Sequence, residues 1–239
     1  MDAQYQNFAT YLNQDHHKNV KESFKALAKL LHPQLVDRSA KLLDVGCATG
    51  ALIAFLSECF PKLECTGVDI SEDLLAVARE KVEGHQFFQG DATQLDAAWD
   101  QQFDVSLAIG VLGIFDEAEA KKVLAELFRV TRPGGSIYLL AQFNDYDLDV
   151  CINHRRFKGS EPSNWEKGWN IYSKNTIRSW FESEPAQVEF VDYSMPFALE
   201  PQEDPIRTWT METEHNKYQL TNGLKLLVDL SFLKITRTG

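Results

Sequence analysis

The chain has 239 residues, 44% hydrophobic and 25% charged, which is enough for a full core in one α/β domain without disulfide or metal staples. Its formal net charge of −11 argues against extended contact with a nucleic-acid backbone, which needs dense Lys and Arg. Cys47, Cys59, Cys65 and Cys151 lack the paired spacing of zinc or redox sites, the polar N-terminus lacks a signal-peptide pattern, and no run approaches ~20 apolar residues. A cytoplasmic protein with no membrane contact and reduced cysteines is therefore expected.

Residues 1–40 read as a helical cap. Phe24, Leu27, Leu30 and Leu31 are spaced for one buried face, and Pro33 is expected to end the helix. An aromatic segment with Tyr5, Phe8 and Tyr11 precedes it. Leu42 to Val45 then reads as a short buried strand, Gly46 to Gly50 as a tight turn, and Ala51 to Leu56 as the start of a helix. Gly46 and Gly50 can take backbone angles that a β-carbon forbids. The helix start offers free N–H groups to an anionic ligand.

Onward from there, strands and helices alternate as a parallel sheet with crossover helices requires. Strand two is expected at Leu63–Asp69, with a helix from Leu74 to Val82 capped by Ser71 and opened by Glu72 and Asp73. Strand three is expected at His85–Phe88, a short helix around Leu95–Trp99, strand four at Phe103–Ile109, an amphipathic helix at Glu117–Arg129, and strand five at Ser136–Phe143. Gly110 to Gly113 closes strand four at the carboxyl edge, where open α/β sheets bind ligands. The sequence predicts a helix over Ser173–Phe181, strand six at Val188–Tyr193 and a final strand within Leu224–Ile235.

Two stretches break the alternation, residues 144–172 and 196–222, and both read as substrate-lid segments. The first carries Tyr146, Arg155, Arg156, Trp165 and Trp169, which could grip a flat or anionic molecule by stacking and ion pairing. His154, Asp145 and Asp147 are the candidate general bases there, His154 having the suitable unperturbed pKa. No His/Asp/Glu grouping has metal-site spacing, so no metal is expected.

The turn itself discriminates among nucleotide-like ligands. A dinucleotide fingerprint starting at Gly46 would need glycine at Ala48 and Ala51, and a phosphate-binding loop would need Lys after Gly50. Instead, Asp44-Val45-Gly46-Cys47-Ala48-Thr49-Gly50 resembles the first motif of class I S-adenosylmethionine-dependent methyltransferases. It departs from the fullest form in having Ala48 where a third glycine is frequent. Asp69, about 20 residues on, resembles the acidic residue that accepts both ribose hydroxyls. Asp91 with Ala92 matches the position near the adenine amino group. Phe103–Gly110 resembles the family's fourth strand, and Arg132-Pro133-Gly134-Gly135 the turn before the fifth.

That resemblance implies a Rossmann-like sheet of seven mostly parallel strands with helices on both faces, the last strand inserting antiparallel between five and six. It also implies a cofactor, S-adenosyl-L-methionine (product S-adenosyl-L-homocysteine), held by Asp44, Gly46, Cys47, Ala48, Gly50, Asp69, Asp91, Ala92, Ile109 and Gly110, with Ile70 and Leu74 clamping the adenine. An N-terminal helix over the cofactor would bring Tyr5 and Tyr11 to the pocket. The expected activity is methyl transfer to an oxygen or nitrogen of a compact anionic or aromatic small molecule, within a single domain whose cofactor-binding core is 41–143. Methyl transfer needs an oriented nucleophile and exclusion of water more than a covalent protein nucleophile. The alternatives are a binding module without turnover, or an aminopropyl or modified-cofactor transferase on the same fold. The acceptor and the oligomeric state are not legible.

Overall fold

The computed structural model describes residues 16–239. The expectations for Tyr5, Phe8 and Tyr11 lie outside that range. One sheet organises the chain: β1 (Ala40–Val45), β2 (Leu63–Asp69), β3 (Gln86–Gln89), β4 (Phe103–Ile109), β5 (Thr131–Asn144), β6 (Ala186–Tyr193) and β7 (Leu230–Arg237). Their order is β6-β7-β5-β4-β1-β2-β3, and Tyr172–Ser173 adds a short eighth strand parallel to the end of β5. The pairings β3–β2–β1–β4–β5 are all parallel, and β7 runs antiparallel to both β5 and β6. The expected fold class is therefore observed.

Strand periodicity splits the core into two layers. On one face Leu42, Leu107 and Leu140 pack with Phe24, Leu27 and Leu31 of α1 (Glu22–Leu35) and with α2 (Ala51–Cys59) and α3 (Glu72–Lys81). On the other, Leu43, Val45 and Leu139 meet Val123, Leu124 and Leu127 of α4 (Glu117–Val130) and Ile177 of α5 (Lys174–Ser179). Adjacent residues such as Leu42 and Leu43 serve opposite layers because side chains alternate along a strand. Being buried on both faces is what makes these strands read as continuous apolar runs.

β2 and β4 have the expected bounds. Elsewhere the structure corrects them. Pro33 does not end α1, which continues to Leu35. A proline in the last turn removes only its own donor, and the Val36 N–H still closes on His32 O. β3 is shifted one residue, to Gln86–Gln89. The expected helix near Leu95 is a single 3₁₀ turn, Ala97–Trp99, whose Ala98 N–H is capped by Asp96 Oδ1 at 2.8 Å. β5 begins five residues early. It runs through Arg132–Gly135 as a bulge, because Phe103 pairs with Thr131 but Val105 already pairs with Ser136. The terminal apolar run divides at Asp229. Leu227–Val228 pairs with Gln219–Thr221, and Leu230 starts β7. Cys47 and Cys65 are buried, whereas Cys59 lies on the exposed side of α2, and all four cysteines are free.

β7 is locked to the far end of α4. Arg237 Nη1 donates to the carbonyls of Phe128 (2.9 Å) and Thr131 (2.8 Å), and its guanidinium lies 4.8 Å from the Phe128 ring centroid. These carbonyls belong to the orphan set at a helix C-terminus. Arg237→Ala is expected to destabilise the protein by about 2 kcal/mol, within the range for lost charge-assisted hydrogen bonds. Urea unfolding of the two proteins checks this; a shift below a few tenths of a kcal/mol would mean that water caps the helix equally well.

Candidate functional site

A cavity of about 350 Å³ opens at the carboxyl edge of the sheet. β1 contributes Asp44 and the turn after it, β4 contributes Ile109 and Gly110, and β5 contributes Leu140, Ala141 and Gln142. The N-terminal segment covers it with His16, Lys21 and Phe24, and Ile206, Arg207 and Thr208 close it from the second irregular segment.

The turn after β1 is built by backbone bonds to β2. Gly46 and Cys47 N–H groups both donate to Val68 O, at 2.7 and 3.0 Å. Gly46 has φ of +78°, and a Cβ there would sit 2.5 Å from Val111 Cγ2, so no other residue fits without displacing the loop after β4. Ala48 also adopts a left-handed φ, +48°, where the resembling family favours glycine. Its N–H donates to Asp69 Oδ2 at 2.9 Å, which holds it there. Asp69 Oδ1 accepts from Ser71 N–H at 2.9 Å, and Ser71 Oγ accepts from Leu74 N–H to cap α3. One carboxylate thus joins two strand-to-helix turns. Opposite, α2 starts at Gly50 with no side-chain cap, and its first residues Ala51 and Leu52 face the cavity. His17 Nε2 lies 2.9 Å from Thr49 O and seats the N-terminal segment on the turn.

Charge is concentrated in this space. The Asp44 carboxyl is 2% exposed and, among the described residues, takes no hydrogen bond. Burial, reinforced by the Asp69 charge and opposed by Lys21, pushes its pKa up to about 7. Burial, reinforced by the Arg207 charge and opposed by Asp44, brings Lys21 down to about 8. Asp69 is also raised, by burial first, against its backbone hydrogen bonds. The Cys47 thiol is driven far up by burial and by Asp44 and Asp69, so it is an inert wall rather than a nucleophile.

Of the residues expected around the cofactor, Asp44, Gly46, Cys47, Ala48, Ile109 and Gly110 line the cavity. Gly50 forms the start of α2 just behind it. Asp69, Ile70, Asp91 and Ala92 lie off the cavity at the ends of β2 and β3, where Ile70 is 51% exposed. Asp91 Oδ1 accepts from Thr93 N–H and Oγ1–H, and Ala92 packs on the second core layer. Leu74 is buried in α3 and has no face to offer a ligand.

The expected acceptor site is not brought together by the first irregular segment. That segment folds as a long arm in which Asn153–His154 pairs with Glu166–Lys167 and Phe157–Lys158 with Glu161–Pro162. Arg155 stacks over Phe157 and Trp165 out on the arm, at 5.7 and 4.8 Å. Arg156 is tied to Asp204, Nη1 to Oδ1 at 3.0 Å. Tyr146 is 80% exposed. Asp145 is ion-paired with Lys174 at 2.8 Å, and Asp147 Oδ1 accepts from Asn175. His154 lies beside Glu166, with its pKa lowered by burial, and lines no part of the cavity. Among that set only Trp169 reaches it. Lys21, Gln142 and Arg207 are among the lining residues that the sequence did not single out. Arg207 had one local signal, the Asp204-Pro205 turn that aims the next residues inward.

Among the described residues there is no cluster of three potential metal ligands, and no helix is long and apolar enough to cross a membrane.

Residues 42–135 match the family model described as a methyltransferase domain. The demethylmenaquinone methyltransferase of Chlorobaculum parvum is 38% identical over 105 residues, covering 44% of this chain and 42% of that protein. The malonyl-[acyl-carrier protein] O-methyltransferase of Bacillus anthracis is 26% identical over 181 residues, 73% of this chain and 65% of the relative. The matches span about half the length of the first curated relatives. Among solved structures, the Burkholderia thailandensis 1,6-didemethyltoxoflavin-N1-methyltransferase, determined with bound 1,6-didemethyltoxoflavin and S-adenosylhomocysteine, superposes with a TM-score of 0.60 at 14% identity, covering 97% of this chain and 85% of that one. At that identity the likeness shows the fold.

The raised Asp44 pKa has a consequence for stability. The folded state holds a proton that the unfolded chain has released between its ordinary carboxylate range and about 7, so stability from this group is fullest at low pH and is lost as pH rises to about 7. Relative to Asp44→Asn, the wild type is expected to lose stability from about pH 4 to about pH 7 and to change no further above that. Chemical denaturation of both proteins at several pH values reads this difference; parallel curves would show that Asp44 is ionised throughout.

Proposed function

We propose, from the premise that residues 42–135 belong to the class I S-adenosylmethionine-dependent methyltransferases, that this chain binds S-adenosylmethionine and methylates an oxygen or nitrogen of a small molecule. The observation that carries the reading is the Asp69 carboxylate spanning the glycine turn and the α3 cap, beside a cavity at the sheet's carboxyl edge.

The residues suit that cofactor. The buried Asp44 carboxyl, without a hydrogen bond among the described residues, offers an acceptor to the amino group of the methionine half. Lys21 and the uncapped start of α2 favour its carboxylate. Asp69 spends one lone pair of each oxygen on Ala48 and Ser71 and keeps others for ribose hydroxyls. Ile70, left exposed beside β3, provides an apolar surface for the adenine.

When bound, S-adenosylmethionine would supply an electrophilic methyl carbon for the acceptor's lone pair, with neutral S-adenosylhomocysteine as its product. The chain's part is to orient and to exclude water. Trp169, Ile114 and Leu230 form apolar walls, and Gln142 provides a polar side chain for orienting an acceptor. A cytoplasmic setting and a single domain of core plus lid segments are part of the same proposal.

Calorimetric titration with S-adenosylmethionine and S-adenosylhomocysteine, with NAD as control, tests the cofactor. Micromolar binding of the first two and none of NAD is expected. Asp69→Ala is expected to weaken S-adenosylhomocysteine at least tenfold, whereas Trp165→Ala, out on the arm, leaves it unchanged. Wild-type affinity in Asp69→Ala would remove the pocket assignment.

A further inference from the structure

The register of β5 carries a polar side chain into the cavity. Tyr138 and Leu140 face the first core layer, and Gln142 continues that face where the strand reaches the cavity. Its cross-strand partner on β7 is Leu230, and Leu140 and Leu230 line the cavity beside it. A core-facing register asks for an apolar residue at this position, and the chain places a carboxamide there instead. Half-buried, the Gln142 side chain takes no hydrogen bond among the described residues. An amide in that state costs the folded protein free energy until water or a ligand pairs with it.

The loop after β4 is cut to fit that amide. A Cβ at Gly113 would sit 2.8 Å from Gln142 Oε1 and 3.4 Å from Asn170 O, so glycine leaves the space that the carboxamide fills. Gly113 is held in place, because its carbonyl accepts from the N–H of Asn170 at 2.9 Å. The ladder between β5 and β7 fixes the other end through the pairing of Gln142 with Leu230. Strand order then separates Gln142 from the acidic residues of the glycine turn. Asp69 ends β2 and Asp44 lies in β1, whereas β5 stands beyond β4 from both. At ordinary interstrand spacing, two strands from β1 is roughly 10 Å along the sheet.

We propose that Gln142 selects the methyl acceptor, its carboxamide pairing with a neutral amide- or lactam-type edge. Oε1 accepts the N–H of that edge, and Nε2 donates to its carbonyl. This rests on the methyltransferase reading, in which Asp44 and Asp69 serve the cofactor on β1 and β2. A carboxamide presents a donor and an acceptor side by side, and only a partner with both in the matching arrangement satisfies the two at once. An analogue without the N–H leaves Oε1 unpaired against apolar neighbours, the circumstance in which a hydrogen bond discriminates most.

The test uses full-length protein saturated with S-adenosylhomocysteine and titrated with 2-pyridone and benzamide. Each is paired with its N-methylated control, 1-methyl-2-pyridone or N,N-dimethylbenzamide, which keeps the carbonyl and lacks the donor. At least one of the two is expected to bind about tenfold more tightly than its control, the size of one lost hydrogen bond. Gln142→Leu is expected to erase that preference while S-adenosylhomocysteine affinity stays within about twofold, as for a site independent of the cofactor's. Gly113→Ala crowds Oε1 without removing the amide, and it is expected to weaken the preference about threefold with an unchanged urea midpoint. Three results would overturn the proposal: no preference in the wild type, including no binding of either compound; a preference that survives intact in Gln142→Leu; or an equal loss of S-adenosylhomocysteine in that variant, which would assign Gln142 to the cofactor. If Gln142→Leu does not fold, Gly113→Ala decides, and a preference it leaves intact overturns the proposal. Failure of the wild type to bind S-adenosylhomocysteine at all is a separate result and sinks the methyltransferase reading instead.

Discussion

The Asp69 carboxylate is the constraint on which the site depends. It sits at the end of β2, between the turn that follows β1 and the cap of α3, and it accepts one backbone N–H from each. Without it, Ala48 would have no reason to stay in a left-handed conformation that costs a β-carbon-bearing residue roughly 1–2 kcal/mol. The Gly46 and Cys47 bonds to Val68 O bring the turn back onto β2, and the Asp69 bond to Ala48 then sets the next peptide. Two helices therefore start from a shared anchor, and the space between them is shaped before any ligand arrives. The arrangement places folding and function on one side chain, because the same carboxylate keeps lone pairs directed away from the backbone.

Burying Asp44 works in the other direction. A buried carboxyl that takes no hydrogen bond among the described residues is a cost to the folded state, seen in the pKa pushed up to about 7. Lys21 offsets part of it, but Arg207 depresses Lys21 in turn. Asp44 and Lys21 thus perturb each other's titration at the cavity wall. Sites of this kind are kept at some expense in stability, and perturbed pairs in clefts are where ligands are expected.

The sheet was legible because its strands are buried on both faces. Leu63–Asp69 and Phe103–Ile109 are short apolar runs with clear breaks, and the structure reproduces both ranges. Boundaries failed where a competing local bond was invisible. The bulge at Arg132–Gly135 lets β5 start at Thr131 instead of after the glycines, and Asp229 divides the terminal run between two sheets. The cavity's β1 and β4 walls followed from the glycine turn. Its far wall did not, because residues 144–172 and 196–222 form short antiparallel pairs too brief to show periodicity. Basic residues beside aromatics in the first segment suggested a binding surface, but Arg155 stacks on its own neighbours and Arg156 finds Asp204. Local satisfaction of a charge is the ordinary outcome, and the placement of Arg207 at the cavity, set by long-range packing, left no trace in the local sequence.

That placement depends on how the arm is fastened. Asn170 is 2% exposed and makes three bonds: its N–H donates to Gly113 O, its Nδ2 to Phe115 O, and its Oδ1 accepts from Ile152 N–H. Tyr172 Oη donates to Phe115 O as well. Lys167 reaches Asp116 Oδ2 at 2.6 Å, in the capping box of α4. The arm is thereby clamped to the loop after β4, and Trp169, between Lys167 and Asn170, has its position set by bonds on both sides. Arg156, farther out, carries that clamp across to Asp204 and so to the turn bearing Arg207. Trp169 on the clamped arm and Arg207 after the Asp204 turn therefore reach the same cavity from two separately fastened stretches of chain.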